Sequence, residues 1–170
     1  MTKTDAPQWG EPAGEPKADW PPNIQALYKR RAPASEYLGL HIIDVSREAL
    51  TVDVLFEAGE QLCNLWGGIQ GGMVAAMLDD VMSLAVGLDL EWGQISPTLE
   101  LKVSMLNAAR PGRIYGRGRV IKKGKSVGFV EGELYAPDGT LLATASSTAT
   151  FVTLKRKEKK AGETEKATQA

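Results

Sequence analysis

The chain has 170 residues, 43% of them apolar and 24% charged, with 20 basic side chains against 21 acidic ones. That length buries an ordinary core in one domain, and a net charge of −1 supplies no overall attraction to nucleic acid or an anionic membrane. One cysteine, Cys63, excludes an intramolecular disulfide framework, and one histidine, His41, removes most zinc sites. The first residues are polar with no apolar signal core. The most apolar run, residues 73–88, carries two aspartates and is no membrane span, so a soluble, cytoplasmic protein is expected.

Residues 1–20 hold two basic and four acidic side chains, three prolines and almost no aliphatic residues. Such a stretch buries too little apolar surface to offset its ordering entropy, and disorder is expected there. Residues 155–170, with six basic and three acidic residues, read as a charged, flexible tail. One domain therefore occupies residues 21–154. Within it, Pro21-Pro22 followed by residues 23–30 reads as a short capped helix, ending before Pro33. Residues 41–45 and 50–56 are strand-like runs, and alternation in the second places Leu50, Val52, Val54 and Phe56 on one face.

A Gly-rich connection leads into residues 71–87, where apolar side chains surround the helical wheel, as in a buried helix. Residues 97–106, 113–122, 126–136 and 141–154 are strand-length runs. Gly-containing turns at 109–112, 123–125 and 137–139 join them as hairpins. The fold class is α+β: a curved antiparallel sheet wrapped around one long central helix. Any side of the helix that the sheet leaves open must meet a second copy.

Asp79 and Asp80 lie in the middle of that helix, where an unpartnered charge is costly. Neighbours on a helix diverge by about 100°, so at least one is expected in a cleft, with a perturbed pKa and a chemical role. Ser83 is within reach of either. Just upstream, residues 64–72 read Asn-Leu-Trp-Gly-Gly-Ile-Gln-Gly-Gly. Free N–H groups and the positive dipole end at the helix start favour a developing oxyanion, and Gly71 and Gly72 let a carbonyl approach closely. A carboxylate two turns further on makes acyl chemistry the sharper reading.

Two motif matches fail on context. Gly124-Lys125-Ser126-Val127-Gly128 has the nucleophile-elbow spelling but is followed by a strand-like run. A phosphate-binding loop ending at Lys125-Ser126 needs a glycine where Arg119 stands. From Lys102 to Lys125 there are eight basic residues and no acid, either a solvated strand face or a local positive surface for a phosphorylated ligand.

The order of elements, with Asn64, the Gly71-Gly72 pair, Asp79 and Thr98 at these spacings, resembles the hotdog-fold acyl-CoA thioesterases. The likeness is to the phenylacetic-acid-degradation and 4-hydroxybenzoyl-CoA thioesterase branch. The family signature N-x-x-G-x-x-H-G-G stands here as residues 64–72, with Gln70 in place of histidine. The resemblance implies hydrolysis of an acyl or aroyl CoA thioester, with no cofactor or metal beyond the coenzyme A of the substrate. It makes Asp79 the nucleophile or general base, Gly71 N–H the carbonyl-polarising donor, and Asn64 and Thr98 positioning groups. It further implies a homodimer that assembles to a tetramer or higher, with Asn64 and Gly71 of one subunit facing Asp79 and Thr98 of the other. Gln70, Gly72, Asp80 and Ser83 would line the substrate, and Arg113, Lys122, Lys123 and Lys125 would be phosphate contacts. Gln70 cannot carry charge, and this motivates the alternative of a non-catalytic acyl-CoA-binding module. A hydratase, which pairs an acid with a histidine, would need His41. Trp66, Met77, Met82 and Trp92 are candidate acyl-pocket residues, though each fits plain core packing as well.

Overall fold

The structure, a computed structural model, describes residues 7–154. Among them, helices α1 (Pro22–Lys29) and α2 (Pro33–Leu38) precede strands β1 (Leu40–Ser46) and β2 (Thr51–Ala58). A short helical turn, Glu60–Leu62, leads to α3 (Gly71–Gly87). Strands β3 (Gln94–Ile95), β4 (Thr98–Met105), β5 (Gly112–Lys123), β6 (Val127–Tyr135), β7 (Leu141–Thr150) and β8 (Val152–Thr153) follow. Six strands form one antiparallel sheet in the order β1-β2-β5-β6-β7-β4, and β3 pairs with β8 apart from it.

Helix α3 has the expected bounds. Val74, Met77, Leu78, Val81, Met82, Ala85 and Val86 form its buried stripe, spaced as an amphipathic helix requires. The sheet admits the helix backbone through glycines. A Cβ on Gly118 would stand 2.3 Å from the Val81 carbonyl oxygen, and one on Gly132 would meet Met82 Cγ at 2.9 Å. Away from that stripe, Asp79 and the exposed Ser83 lie on a face that the sheet leaves open, whereas Asp80 turns toward α1, α2 and β1.

Four expectations change. The turn at 109–112 is not a hairpin: β4 pairs with β7, and β5 lies between β2 and β6, so this connection carries the chain across the sheet. Residues 7–20, read as disordered, lie packed along the outer sheet face. Trp9 stacks on Tyr115 at 5.2 Å between ring centroids and sits under the Arg117 guanidinium, and the Ala13 N–H donates to the Ile42 carbonyl. Trp20 is buried against α1, edge-on to Tyr28. The aromatic side chains of this polar segment supply the apolar contact that its composition hides. Leu50 is not a strand residue: it turns the chain between β1 and β2 with φ 49°. Residues 141–154 are not one strand, since the chain breaks at Phe151 and β8 crosses to β3. Helix α2 was not anticipated, although Pro33 at its first turn and Gly39 in the left-handed conformation at its end (φ 74°) are ordinary helix boundaries. Residues 1–6 and the charged tail lie outside the described residues.

Candidate active site

The Gly-rich connection is a fixed turn. The Asn64 side-chain oxygen accepts from the Trp66 N–H at 2.9 Å, and the Asn64 N–H donates to the Gly68 carbonyl. This turn holds Leu65 and Trp66 out to solvent, 98% and 86% exposed. Gln70, exposed and extended, precedes α3 and offers no side-chain cap. Met73 and Val74 make the first bonds to the Gln70 carbonyl. The N–H groups of Gly71 and Gly72 precede those bonds and point out of the helix start, where the dipole favours an anion.

Asp79 lies two turns further along α3, on its open face. The Thr98 hydroxyl, at the start of β4, donates to Asp79 Oδ1 at 2.9 Å. This fixes one carboxylate oxygen. Gly71 lies under the far end of the same strand, where a Cβ on it would meet Met105 Cε at 3.6 Å. Strand β4 thus runs antiparallel to α3, from Asp79 at its beginning to Gly71 at its end. Eight helical residues separate Gly71 from Asp79 by about 12 Å, too far for both to touch one carbonyl group in a single chain.

Asp80 points elsewhere. It lines a cavity of about 180 Å³ between α1, α2, β1 and α3, together with His41, Ser35 and Ser83. Burial raises its pKa above the ordinary aspartate value, the Ser35 hydroxyl opposes that shift, and the Asp79 charge adds to it. Its Oδ2 atom is buried with no hydrogen-bond partner. Across the cavity His41 Nδ1 lies 3.2 Å from the Arg31 guanidinium. Burial, then Arg31, lowers the His41 pKa, against a smaller opposing pull from Glu57. Ser83 borders this cavity and a larger one of about 500 Å³ formed by α1 and residues 90–96, including Trp92. Met77 and Met82 are core, whereas Trp66 and Trp92 are exposed.

The expected phosphate contacts do not gather within one chain. Arg113 and Lys123 stand ten residues apart on β5, about 33 Å along an extended strand. Arg113 pairs with Glu11 at 3.1 Å, and Lys123 with Asp89 at 2.8 Å while lying over the Phe151 ring. Arg117 forms a two-pronged pair with its cross-strand neighbour Asp53, both contacts 2.6 Å, and Arg119 pairs with Glu131. Half of the basic run is therefore spent on paired strand positions; Lys122 and Lys125 are exposed. Ser126 lies in the β5–β6 turn ahead of a strand, which removes the nucleophile-elbow match. Sequence reading missed Ser35 and Arg31 because α2, which carries one and follows the other, was not foreseen.

The sequence profile of the thioesterase superfamily matches residues 67–143. A phenylacetic acid degradation-related protein of Ralstonia eutropha is 37% identical, with a TM-score of 0.70 over 75% of this chain and 98% of that one. The chain belongs to the thioesterase superfamily, with the hotdog fold. A thioesterase family protein of Silicibacter pomeroyi is 25% identical, with a TM-score of 0.70 over 77% of this chain and 96% of that one. A protein of Saccharolobus solfataricus that bears an esterase name is 26% identical over 122 residues, 72% of this chain and 85% of its own length. Membership supports thioester hydrolysis in general. Among the described residues no helix is long and apolar enough to cross a membrane.

Proposed function

We propose that this superfamily member is an acyl-CoA thioesterase whose site is shared by two copies of the chain. The observation that carries the reading is the pairing of Thr98 with Asp79 on the open face of α3, with free N–H donors at the start of the same helix but out of reach in one chain. Strand β4 is an edge of the sheet and exposes Leu99 and Met105. An uncovered apolar edge of this kind is a template for a second strand. If two β4 edges pair antiparallel about a twofold axis, the Met105 end of one meets the Thr98 end of the other. Gly71 of one copy then faces Asp79 of its partner, as an isologous contact requires.

In that arrangement the Gly71 N–H polarises the thioester carbonyl as its oxygen gains charge. Asp79, oriented by Thr98, attacks the carbonyl carbon or takes a proton from an attacking water; Asn64 holds the carbonyl or that water. The carbon–sulfur bond breaks and coenzyme A leaves. Where Asp79 attacked, water then cleaves the acyl–Asp79 anhydride; in either route the oxygen of water enters the released acid while its proton converts the thiolate to the thiol. The exposed Lys122 and Lys125, on the hairpin two strands away from Thr98, are the better placed candidates for the coenzyme's phosphates. No cofactor other than the substrate's own coenzyme A is invoked, and a reducing, cytoplasmic setting suits a chain with one cysteine. A thiol-release assay over aromatic and straight-chain CoA esters tests the reading. Turnover that disappears in Asp79→Asn supports it, and turnover unaffected by that change contradicts it.

A further inference from the structure

The cavity at Asp80 is not used by the chemistry above. Its walls are mostly apolar, with Leu27, Leu40, Ile42 and Leu84 prominent, and its volume of about 180 Å³ is close to that of an engineered pocket that holds one benzene ring. Of the polar groups around it, Arg31 and His41 engage each other. Asp80 Oδ2 alone is buried and unpartnered. Native interiors seldom leave such an atom without a partner, so it calls for an occupant.

The path to that occupant starts at the reacting centre. Asp80 is the next residue after Asp79, rotated about 100° around the helix. Ser83, one turn beyond both, borders this cavity and the larger one beside it. Asp79 itself lines neither cavity, and Ser83, with Leu27, lines both. On the thioesterase reading, an acyl tail leaving a carbonyl at Asp79 would run past Ser83 toward Asp80, with space at the end for a group of roughly six heavy atoms.

Resting on the thioesterase reading, we infer that Asp80 is a specificity-determining residue that selects acyl groups whose far end carries a hydrogen-bonding oxygen, such as a hydroxyl or an amide carbonyl, over tails ending in a methyl group. A buried carboxyl held toward its neutral form donates one hydrogen bond and accepts others, which suits an uncharged polar tail. A second carboxylate at the tail would meet two acids, Asp79 and Asp80, at the same turn of the helix. A methyl-ended tail would keep Oδ2 buried and unpaired, the costly arrangement.

The test compares kcat/KM for thiol release from ω-hydroxyacyl-CoA esters and from their methyl-ended isosteres across a short series of chain lengths. The wild-type protein should favour the hydroxyl member by roughly tenfold to a hundredfold at the length that reaches Asp80. Asp80→Asn, which still offers a donor and an acceptor, should keep the preference. Asp80→Leu, or Asp80→Ala should the leucine variant fail to fold, should bring the two members level. Wild-type turnover with no preference at any length overturns the inference while leaving the thioesterase reading intact, and so does a preference that survives Asp80→Ala. Absence of thiol release from every ester overturns the thioesterase reading and this inference with it.

Discussion

At the scale of single residues the proposed chemistry needs two groups held on one helix. Asp79 keeps one oxygen on the Thr98 hydroxyl, so its orientation is set before a substrate arrives. Asp79→Asn keeps shape and removes charge, and kcat should fall by about 10²–10⁴-fold while circular dichroism is unchanged. The partner donor admits a clean deletion as well. Gly71 is the first residue of α3 and Gln70 before it is extended, with ψ 134°. Proline is tolerated at that helix position after an extended residue. Gly71→Pro should therefore fold and lose about 10²–10³-fold in kcat as one N–H is removed. Asn64, Gly71, Asp79 and Thr98 were named from the family resemblance, and of these the structure joins Thr98 to Asp79 by a hydrogen bond; their chemical roles belong to the proposal. Asp80 was expected only as a group lining the substrate; the cavity it faces was not legible, because its other walls, Ser35 and His41 among them, come from elements distant in the chain.

At the scale of elements, α3 depends on the glycines that let it sink into the sheet. Gly118→Ala would drive a methyl group into the Val81 carbonyl, where a backbone atom cannot swing aside. A loss of about 1–3 kcal/mol in urea unfolding is expected. Asp80 gives the helix a pH dependence. Burial holds its folded pKa above the ordinary 3.8, so the unfolded chain releases the proton first and wild-type stability falls as pH rises through that interval. The loss is complete above the folded value. Asp80→Asn should remove this decline, seen as unfolding midpoints that separate from wild type as pH rises from below 3.8 and then stay parallel. The strongly periodic elements were readable in advance: α3 to the residue, and the β5–β6 and β6–β7 hairpins from their turns. The weak ones were not. Six residues of α2 are too few to show periodicity, and two-residue β3 and β8 exist only through each other. The segment before α1 was misread because composition averages away two tryptophans: half-buried Trp9 stacks on the sheet at Tyr115, and buried Trp20 packs against α1.

For the whole molecule, the single chain leaves the open face of α3 and the β4 edge facing outward, with the Asp79 carboxyl and the Gly71 donor at opposite ends of that edge. Leu99→Lys, a charge on the exposed edge, should shift sedimentation toward the monomer and abolish turnover together. The most direct measurement combines two inactive chains, Asp79→Asn and Gly71→Pro, co-expressed in equal amounts with separate tags. If each site joins Gly71 of one copy to Asp79 of the other, half of the dimers are mixed and each of these has one intact site, so about a quarter of wild-type activity returns. A mixture as inactive as either variant alone would contradict a site shared between chains.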